Sequence, residues 1–164
     1  MFGIIDHVSG AWQVRIRRTF FLILKKPDAS YINKNMAVGG HCSIKNLVKN
    51  NFECILDMRQ ESQDDDNEIK KYSINYLSVP VKDRINPNPS QVKEVIKWID
   101  ENMSKNKKIF IHCKLGRGRA PTIACLYLIS KGMTPNNAIL FVKKNRRYTY
   151  FNKKQINFIQ NFTV

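Results

Sequence analysis

The chain of 164 residues is long enough for one domain with its own core, and its shares of hydrophobic (43%) and charged (25%) residues are those of a soluble globular protein. Its 28 lysines and arginines against 13 acidic residues give a net charge of +15, which predicts attraction to polyanions such as phosphorylated molecules, anionic lipid or nucleic acid. The four cysteines include no CxxC pair and no zinc-ligand spacing, so they argue against a disulfide framework or a zinc site and favour a reducing, cytoplasmic compartment.

Residues 1–30 are predicted to form a basic segment outside the main domain. Within them, the stretch VRIRRTFFLILKKPD surrounds a short apolar run with three arginines and two lysines. The apolar run, residues 20–24, is far shorter than the roughly 20 residues that span a bilayer. The segment can therefore pack on the domain as a helix or lie on an anionic membrane surface as a peripheral contact, and the pattern leaves both open.

From residue 31 to residue 164, short apolar runs alternate with helical patterns. Strands are predicted in the stretches NMAVGG, FECILDM, INYLSVPV and KKIFIHC. Helices are predicted at residues 43–51, from Asn88 and Pro89 onward, at residues 120–131 with a stop at Gly132, from Thr134 and Pro135 onward, and at residues 152–162. The polar stretch QESQDDDNEIKK is predicted to be a solvated loop. The alternation is typical of an α/β domain with a central, mostly parallel sheet flanked by helices.

The stretch IHCKLGRGRAPT, residues 111–122, joins the last predicted strand to an apolar helix. In open α/β sheets, ligands collect where strands end and helices begin. The amides of a tight loop and of a helix N-terminus favour an oxyanion there, and Gly116 and Gly118 allow the backbone dihedrals that such a loop needs. The same positive field favours the thiolate form of Cys113, and the guanidinium of Arg119 can fold back to hold two phosphate oxygens. This corner is therefore predicted to bind a phosphate group beside a nucleophilic sulfur.

His112 and Cys113, followed after five residues by Arg119, resemble the HCxxGxxR signature of the cysteine-dependent protein tyrosine phosphatase superfamily. The sequence HCKLGRGR is most similar to the dual-specificity branch, and the similarity extends from about Tyr31 to the C-terminus through YINKNMAVGG, YLSVPVKD and MTPNNAILFVKK. The resemblance implies a phosphatase-type phosphate-binding loop, with substrate-binding residues Lys114, Leu115, Gly116, Arg117, Gly118 and Arg119. It also implies hydrolysis in two steps through a cysteinyl-phosphate on Cys113, with no metal and no cofactor.

The same resemblance implies a general acid about thirty residues before the nucleophile. The stretch VPVKDRINPNPS matches this region, and Asp83 is its only carboxylate. A lone loop aspartate is otherwise a turn former or a helix cap. Asp57 and Glu61 are weaker rivals for the acid, and Asp57, at the end of a predicted strand, is also interpreted as structural.

Further residues are predicted to support the site. His112 is expected either to orient the loop or to be a structural histidine, and Asn152 is the best match to an amide residue that orients groups around the pocket in relatives. The family usually has serine or threonine after the arginine, where this chain has Ala120. Thr122 can reach back in its place, and we otherwise expect slow breakdown of the intermediate. Arg146 is expected to extend a basic rim or to complement a helix C-terminus.

Basic residues surround the predicted pocket, since Lys114 and Arg117 lie in the loop and Lys82 and Arg84 flank the expected acid. They favour multiply anionic substrates. A phosphorylated protein is the expected substrate, as for a phosphatase of tyrosine, serine and threonine. The alternatives are an anionic phospholipid, either a phosphoinositide or phosphatidylglycerophosphate, and a catalytically weak phosphate-binding relative. Nucleic acid is not an expected partner, because RRYTYFNKK is the only stretch that interleaves aromatic with basic residues.

Overall fold

The computed structural model describes residues 27–163, together with the helical residues Trp12, Ile16 and Thr19. The strands within residues 27–163 are β1 (Ala29–Tyr31), β2 (Met36–Gly40), β3 (Cys54–Arg59), β4 (Asn75–Val81) and β5 (Ile109–Cys113). The helices are α1 (Ile44–Lys49), α2 (Asp66–Lys71), α3 (Pro89–Ser104), α4 (Arg119–Ser130), α5 (Pro135–Asn145) and α6 (Lys153–Gln160). The prediction for residues 1–30 falls largely outside the described residues.

The strands form one sheet in the order β1-β2-β5-β3-β4. The four strands β2, β5, β3 and β4 run parallel, and the short edge strand β1 pairs antiparallel with β2. Because β5 is central, Gly40 of β2 lies opposite Cys113 and Asp57 of β3 lies opposite His112. The predicted α/β fold with a mostly parallel sheet is therefore confirmed, and β1 is the strand that the sequence pattern did not reveal.

Helices cover both faces of the sheet, because successive residues of a strand point to opposite faces. Ile109 and Ile111 of β5 pack in the larger core with α3 to α6, whereas Phe110 packs in the smaller core with α1 and α2. By the same alternation Cys113 belongs to the larger core, and the ring of His112 stacks on Phe110 on the other face. Among the described residues, no helix has both the length and the apolar character that crossing a bilayer requires.

The predicted helix limits agree with the structure where the sequence carries capping signals. Asn88 accepts a hydrogen bond from the Gln91 N–H, and the Gln91 side chain accepts one from the Asn88 N–H, which fixes the start of α3. Gly132, with a φ of 94°, follows the end of α4. These three residues show that capping chemistry is local enough to be predicted from sequence.

The acidic stretch from residue 60 to residue 71 differs from its prediction. Its second half forms helix α2, whose first N–H groups are capped by the Asp65 carboxylate. Asp64 is only 8% exposed and bonds to His41 and His112. The prediction of a loop is therefore wrong for residues 66–71, and the prediction of a solvated charge is wrong for Asp64, whereas most of the stretch is exposed as predicted.

Candidate active site

Cys113 is the last residue of β5, and α4 begins at Arg119, so the loop between them forms the predicted strand-to-helix corner. Cys113 is 3% exposed, and it is one of four cysteines that form no disulfide. Burial raises the pKa of the Cys54 thiol to about 11 and that of the Cys125 thiol to about 12. The sulfurs of Cys54 and Cys125 therefore stay protonated at neutral pH.

The loop after Cys113 has its carbonyl groups turned outward, and every carbonyl oxygen of residues 114–118 accepts a hydrogen bond from a neighbouring element. The donors are the His41 N–H to Lys114, the Arg146 guanidinium to Leu115 and Gly116, the Tyr150 N–H to Arg117 and the Thr122 N–H to Gly118. In a trans peptide the N–H points away from the C=O. The N–H groups of residues 115–119 therefore face the concave side of the loop, where a ring of amides can bind an anion.

Two glycines allow the loop to approach its neighbours closely. Gly116 has a φ of 63°, which strains any other residue, and a Cβ there would collide with the backbone of Gly39. Gly118 has a φ of −122°, which other residues also adopt, so its φ does not require glycine. A larger residue would instead lack space, because the side-chain amide of Gln155 lies 3.0 Å from the position of a Cβ atom. Gln155 is 2% exposed and reaches the loop from α6, a contact that the sequence analysis missed.

The guanidinium of Arg119 is 2% exposed and lies between two carboxylates. Glu61 accepts two parallel hydrogen bonds from its terminal nitrogens, each 2.8 Å long, and the Val81 carbonyl accepts another at 2.9 Å. Asp83 Oδ1 lies 3.3 Å from Arg119 Nη2. Arg119 Nε is buried and has no hydrogen-bond partner in the described part of the chain, so its N–H can still donate to a ligand.

Glu61 and Asp57, the two weaker candidates for the general acid, lie in surroundings that differ from those of Asp83. The hydrogen bonds from Arg119 lower the pKa of the Glu61 carboxyl to about 2, against an opposing effect of burial. A carboxyl with this pKa is ionised at neutral pH and has no proton to donate, so Glu61 can orient Arg119 but is a poor acid. Asp57 is fully buried and pairs with Arg59 at 2.8 Å.

A cavity of about 400 Å³ opens beside Arg119 and is lined by Gln60, Glu61, Lys82, Asp83 and Lys114. The Asp83 side chain is 70% exposed in the turn after β4. The Asn152 side chain supports this turn, because its amide donates to the Arg84 carbonyl at 2.9 Å. A larger apolar groove of about 950 Å³ between α3 and α6 contains none of the predicted site residues.

The position after Arg119 carries no hydroxyl group. Ala120 is fully buried, and so is the side chain of Thr122 two residues later. The Thr122 hydroxyl has no hydrogen-bond partner within residues 27–163, so it forms no hydrogen bond to Cys113. The hydroxyl that the sequence resemblance leads us to expect next to the arginine is thus not replaced by a direct bond from Thr122.

Arg146 braces the loop from behind. It is 1% exposed, donates to the carbonyls of Leu115 and Gly116, and forms a 2.9 Å ion pair with the buried carboxylate of Asp28. The expectation of a basic rim is wrong at this position, because α5 ends against the loop and directs the guanidinium inward. Nothing in the local sequence distinguishes Arg146 from the exposed Arg147.

We expect Arg146→Ala to lower the free energy of unfolding by about 3–5 kcal/mol, because it removes the guanidinium that pairs with the buried Asp28 carboxylate and donates to two loop carbonyls. Urea unfolding followed by circular dichroism measures this loss. Arg147→Ala removes the same charge from an exposed side chain one residue later, and we expect it to change stability by less than about 0.5 kcal/mol. Equal losses in the two variants would contradict the role of Arg146 as a brace.

His112 lies in a buried polar cluster with Asp57, Arg59 and Asp64, on the face of the sheet opposite to Cys113. Donor atoms of Asp57, Asp64 and His112 lie within 4.8 Å of one another, a spacing that a metal ion can bridge. However, Arg59 pairs with both carboxylates, at 2.8 Å from Asp57 and 2.6 Å from Asp64, and already supplies a cation there. The cluster is therefore an ion-pair network in which Arg59 supplies the positive charge, and His112 Nδ1 has no hydrogen-bond partner among the described residues.

Known proteins share this sequence pattern. A model of the dual specificity phosphatase catalytic domain matches residues 34–163. The probable protein tyrosine phosphatase type IVA A of Dictyostelium discoideum is 31% identical over 119 residues, which cover 58% of this chain and 71% of that protein. The phosphatidylglycerophosphate phosphatase PTPMT1 of Arabidopsis thaliana is 35% identical over 79 residues, which cover 47% of this chain and 23% of that protein.

Solved structures share the fold. The crystal structure of Tk-PTP in the active form matches with a TM-score of 0.73 and 26% identity, over 80% of this chain and 92% of that one. The crystal structure of PTPMT1 in complex with PI(5)P matches with a TM-score of 0.74 and 18% identity, over 81% and 92% of the two chains. The fold and the corner at Cys113 are those of the cysteine-dependent tyrosine phosphatase superfamily. Within it, the chain belongs to the dual specificity phosphatase family, and it is a phosphatase.

Proposed function

We propose that the chain hydrolyses phosphate monoesters of proteins, at tyrosine, serine or threonine, through a cysteinyl-phosphate intermediate. The Cys113 sulfur attacks phosphorus in line with the leaving oxygen, and Asp83 donates a proton to that oxygen. The loop amides and Arg119 hold the three equatorial oxygens while charge redistributes. Water then attacks the cysteinyl-phosphate, Asp83 takes a proton from the water, and inorganic phosphate leaves as the sulfur returns to a thiolate.

The contact between Arg119 and Asp83 carries this proposal. The separation of 3.3 Å between Nη2 and Oδ1 supports a role for Asp83 beside a phosphate bound to Arg119, although the two residues are far apart in the sequence. The exposed Asp83 carboxyl can approach a leaving oxygen above the loop, whereas Glu61 is held by both terminal nitrogens of Arg119. Because Ala120 offers no hydroxyl to the departing thiolate, we propose that the second step limits turnover.

The protein tyrosine phosphatase relatives support a phosphoprotein substrate. A phospholipid is the second candidate, because Lys82 and Lys114 both line the cavity beside Arg119 and can bind negative charge beyond a single phosphate. The relative named as a phosphatidylglycerophosphate phosphatase and the solved complex of PTPMT1 with PI(5)P support the same candidate.

We further propose that residues 1–26 are a basic segment separate from the catalytic domain. The expected boundary at residue 30 is too late, because Asp28 pairs with Arg146 and Ala29–Tyr31 form β1 of the sheet. The segment would bring a cytoplasmic enzyme to an anionic membrane surface as a peripheral contact. Trp12 and Ile16, one helical turn apart, are 59% and 57% exposed, which supports an apolar contact of this kind.

Removal of residues 1–26 is expected to abolish sedimentation with anionic vesicles and to leave hydrolysis of a soluble substrate intact.

Phosphate release from substrates at equal concentration tests the proposed substrate class. The set comprises phosphotyrosine and phosphothreonine peptides, vesicles that contain PI(5)P, vesicles that contain phosphatidylglycerophosphate, and p-nitrophenyl phosphate. Faster turnover of the peptides supports a protein phosphatase, and faster turnover of either lipid assigns the second candidate. Absence of phosphate release from all of them would overturn the proposed hydrolysis and leave a phosphate-binding relative.

We expect Asp83→Asn to slow hydrolysis of phenyl phosphate by roughly 10²- to 10⁴-fold, because phenolate is a poor leaving group without a proton. Hydrolysis of p-nitrophenyl phosphate should slow less, since nitrophenolate leaves more easily. Asp66→Asn, an exposed carboxyl of α2, is the matched control and should leave both rates unchanged. The two substrates are compared by kcat/KM, which reports the first step, because kcat reports the slow second step that they share. If Asp83→Asn lowers kcat/KM equally for both substrates, another group donates the proton.

A further inference from the structure

We propose that Asp64 is a positioning residue that fixes the nucleophile segment on both sides of Cys113. The inference deepens the proposed function and rests on it, since Cys113 is taken as the nucleophile. Asp64 belongs to the cluster on the opposite face of the sheet, so it acts through two histidines and not by contact with substrate. Its carboxylate oxygens each hold one of these histidines.

The first histidine, His112, directly precedes Cys113. Its Nε2 lies 3.0 Å from Asp64 Oδ2, and both side chains are almost fully buried. An ionised carboxylate only accepts hydrogen bonds, so Nε2 carries the proton of this bond and the orientation of the ring is fixed. The ring also lies nearly parallel to that of Phe110, with centroids 5.8 Å apart. Asp64 thus holds the residue before the nucleophile from the far side of β5.

The second histidine, His41, is linked to the residue after Cys113. Its Nε2 lies 3.1 Å from Asp64 Oδ1, and its backbone N–H donates to the Lys114 carbonyl at 3.2 Å. Gly40, which precedes His41, is the sheet partner of Cys113 itself. One carboxylate therefore connects to the chain immediately before and immediately after the sulfur.

Asp64 is itself firmly held. Arg59 Nη2 lies 2.6 Å from its Oδ1, and its backbone N–H donates to the Tyr76 hydroxyl at 3.3 Å. Burial alone would raise the pKa of Asp64, but the hydrogen bonds from His112 and His41, with the charge of Arg59, bring the pKa well below its usual range. The carboxylate therefore stays ionised and keeps accepting both histidine bonds at neutral pH.

The segment that carries Asp64 also carries Glu61, whose carboxylate holds Arg119 by two hydrogen bonds. A single short loop after β3 thus orients both the guanidinium and, through Asp64, the strand end that bears the sulfur. A carboxylate with only a structural role would affect stability and substrate binding together. A positioning carboxylate should affect the chemical step selectively, because the amides and Arg119 still bind phosphate in its absence.

The test is Asp64→Asn, which keeps the side-chain shape and removes the charge. We expect kcat for p-nitrophenyl phosphate to fall by roughly 10- to 100-fold, because the sulfur is the nucleophile of the first step and the leaving group of the second, and a small displacement of a reacting atom slows both. KM and the inhibition constant of inorganic phosphate should stay within about twofold of wild type. Asp64→Glu should recover part of kcat, because it restores a carboxylate. Asp65→Asn removes the same charge from the exposed cap of α2 and should leave kcat unchanged.

A second readout does not depend on turnover. The rate at which iodoacetamide alkylates Cys113, followed by peptide mass spectrometry, should fall in Asp64→Asn and not in Asp65→Asn. A folded Asp64→Asn variant with wild-type kcat and wild-type alkylation would overturn the proposal. So would a loss of kcat that is matched by an equal loss of phosphate binding, since that pattern indicates a structural role.

If Asp64→Asn does not fold, the same measurements are made on His41→Gln. This variant is expected to fold, because the His41 side chain is partly exposed and its removal leaves the buried bond between His112 and Asp64 in place. A lower kcat with unchanged KM supports the proposal, and an unchanged kcat overturns it. Failure of the proposed function is recognised separately: the wild-type protein would then show no hydrolysis that depends on Cys113.

Discussion

Cys113→Ser should abolish hydrolysis and preserve binding. We expect the rate of p-nitrophenyl phosphate hydrolysis to fall by at least about 10⁴-fold, because a serine hydroxyl is not ionised at neutral pH and is a far weaker nucleophile than a thiolate. The outward-facing carbonyls of residues 114–118 and the buried Arg119 do not depend on the sulfur. Inorganic phosphate should therefore still bind to the variant, which isothermal titration calorimetry can measure.

Cys125→Ser is the matched control for this substitution. Cys125 is fully buried in α4, and its sulfur lies 3.7 Å from the Ala138 carbonyl, to which a serine hydroxyl can also donate. Because its thiol stays protonated at neutral pH, we expect Cys125→Ser to keep the wild-type rate. Wild-type activity in Cys113→Ser would show that Cys113 is not the nucleophile, and the proposed mechanism would then be wrong.

Detection of the cysteinyl-phosphate intermediate tests the role of Cys113 directly. If the second step is slow because Ala120 provides no hydroxyl, wild-type enzyme quenched in acid during turnover should carry a phosphoryl group on the peptide that contains Cys113. Pre-steady-state release of nitrophenol should then show a burst. Cys113→Ser should show neither signal.

We expect Arg119→Lys to reduce the rate of hydrolysis almost as strongly as Cys113→Ser does. Lysine keeps the positive charge, but its single ammonium cannot bond in parallel to the Glu61 carboxylate and also present a planar edge to phosphate. We expect kcat/KM to fall by roughly 10³-fold or more, because this group stabilises charge on the equatorial oxygens in the transition state. Binding of inorganic phosphate should weaken as well, which separates this variant from Cys113→Ser.

Arg147→Lys is the control for Arg119→Lys, because Arg147 is exposed and lies outside the pocket. We expect it to keep the wild-type kcat/KM. An Arg119→Lys variant within a factor of about three of wild type would show that a point charge is enough. The parallel hydrogen bonds between Arg119 and Glu61 would then have no consequence for the reaction.

The corner at Cys113 is predictable from sequence because its parts are neighbours in the chain. The strand before it, the glycines and Arg119 fall within a dozen residues, so covalent spacing keeps the sulfur, the amides and the start of α4 at one corner. Gly116 illustrates this, since its φ of 63° is a local requirement that only glycine meets without strain. The guanidinium of Arg119 is then oriented by Glu61 and Val81 from elsewhere in the chain. The position of Asp83 was inferred from its match to a family pattern and not from local geometry.

The residues that hold this corner in place are not predictable in the same way. Glu61, Arg146 and Gln155 reach the loop from separate elements, and each occurs in a polar stretch that reads as solvated surface. Arg146 and Arg147 have the same side chain and adjacent positions, yet the first is buried and the second is exposed. The way in which α5 ends against the loop decides between them, and no local pattern encodes that contact.

The three consecutive aspartates of the acidic stretch show most clearly the difference between what the sequence determines and what the tertiary structure determines. Sequence alone predicted that Cys113, the following glycines and Arg119 share one strand-to-helix corner, because covalent spacing dictates that they lie together. Only the tertiary structure decided that Asp64 bonds to two histidines, that Asp65 caps α2 and that Asp66 is exposed on the helix. The physical reason is that burial and pairing of a charge depend on which distant segments pack against it, and identical side chains in a row carry no information about those neighbours.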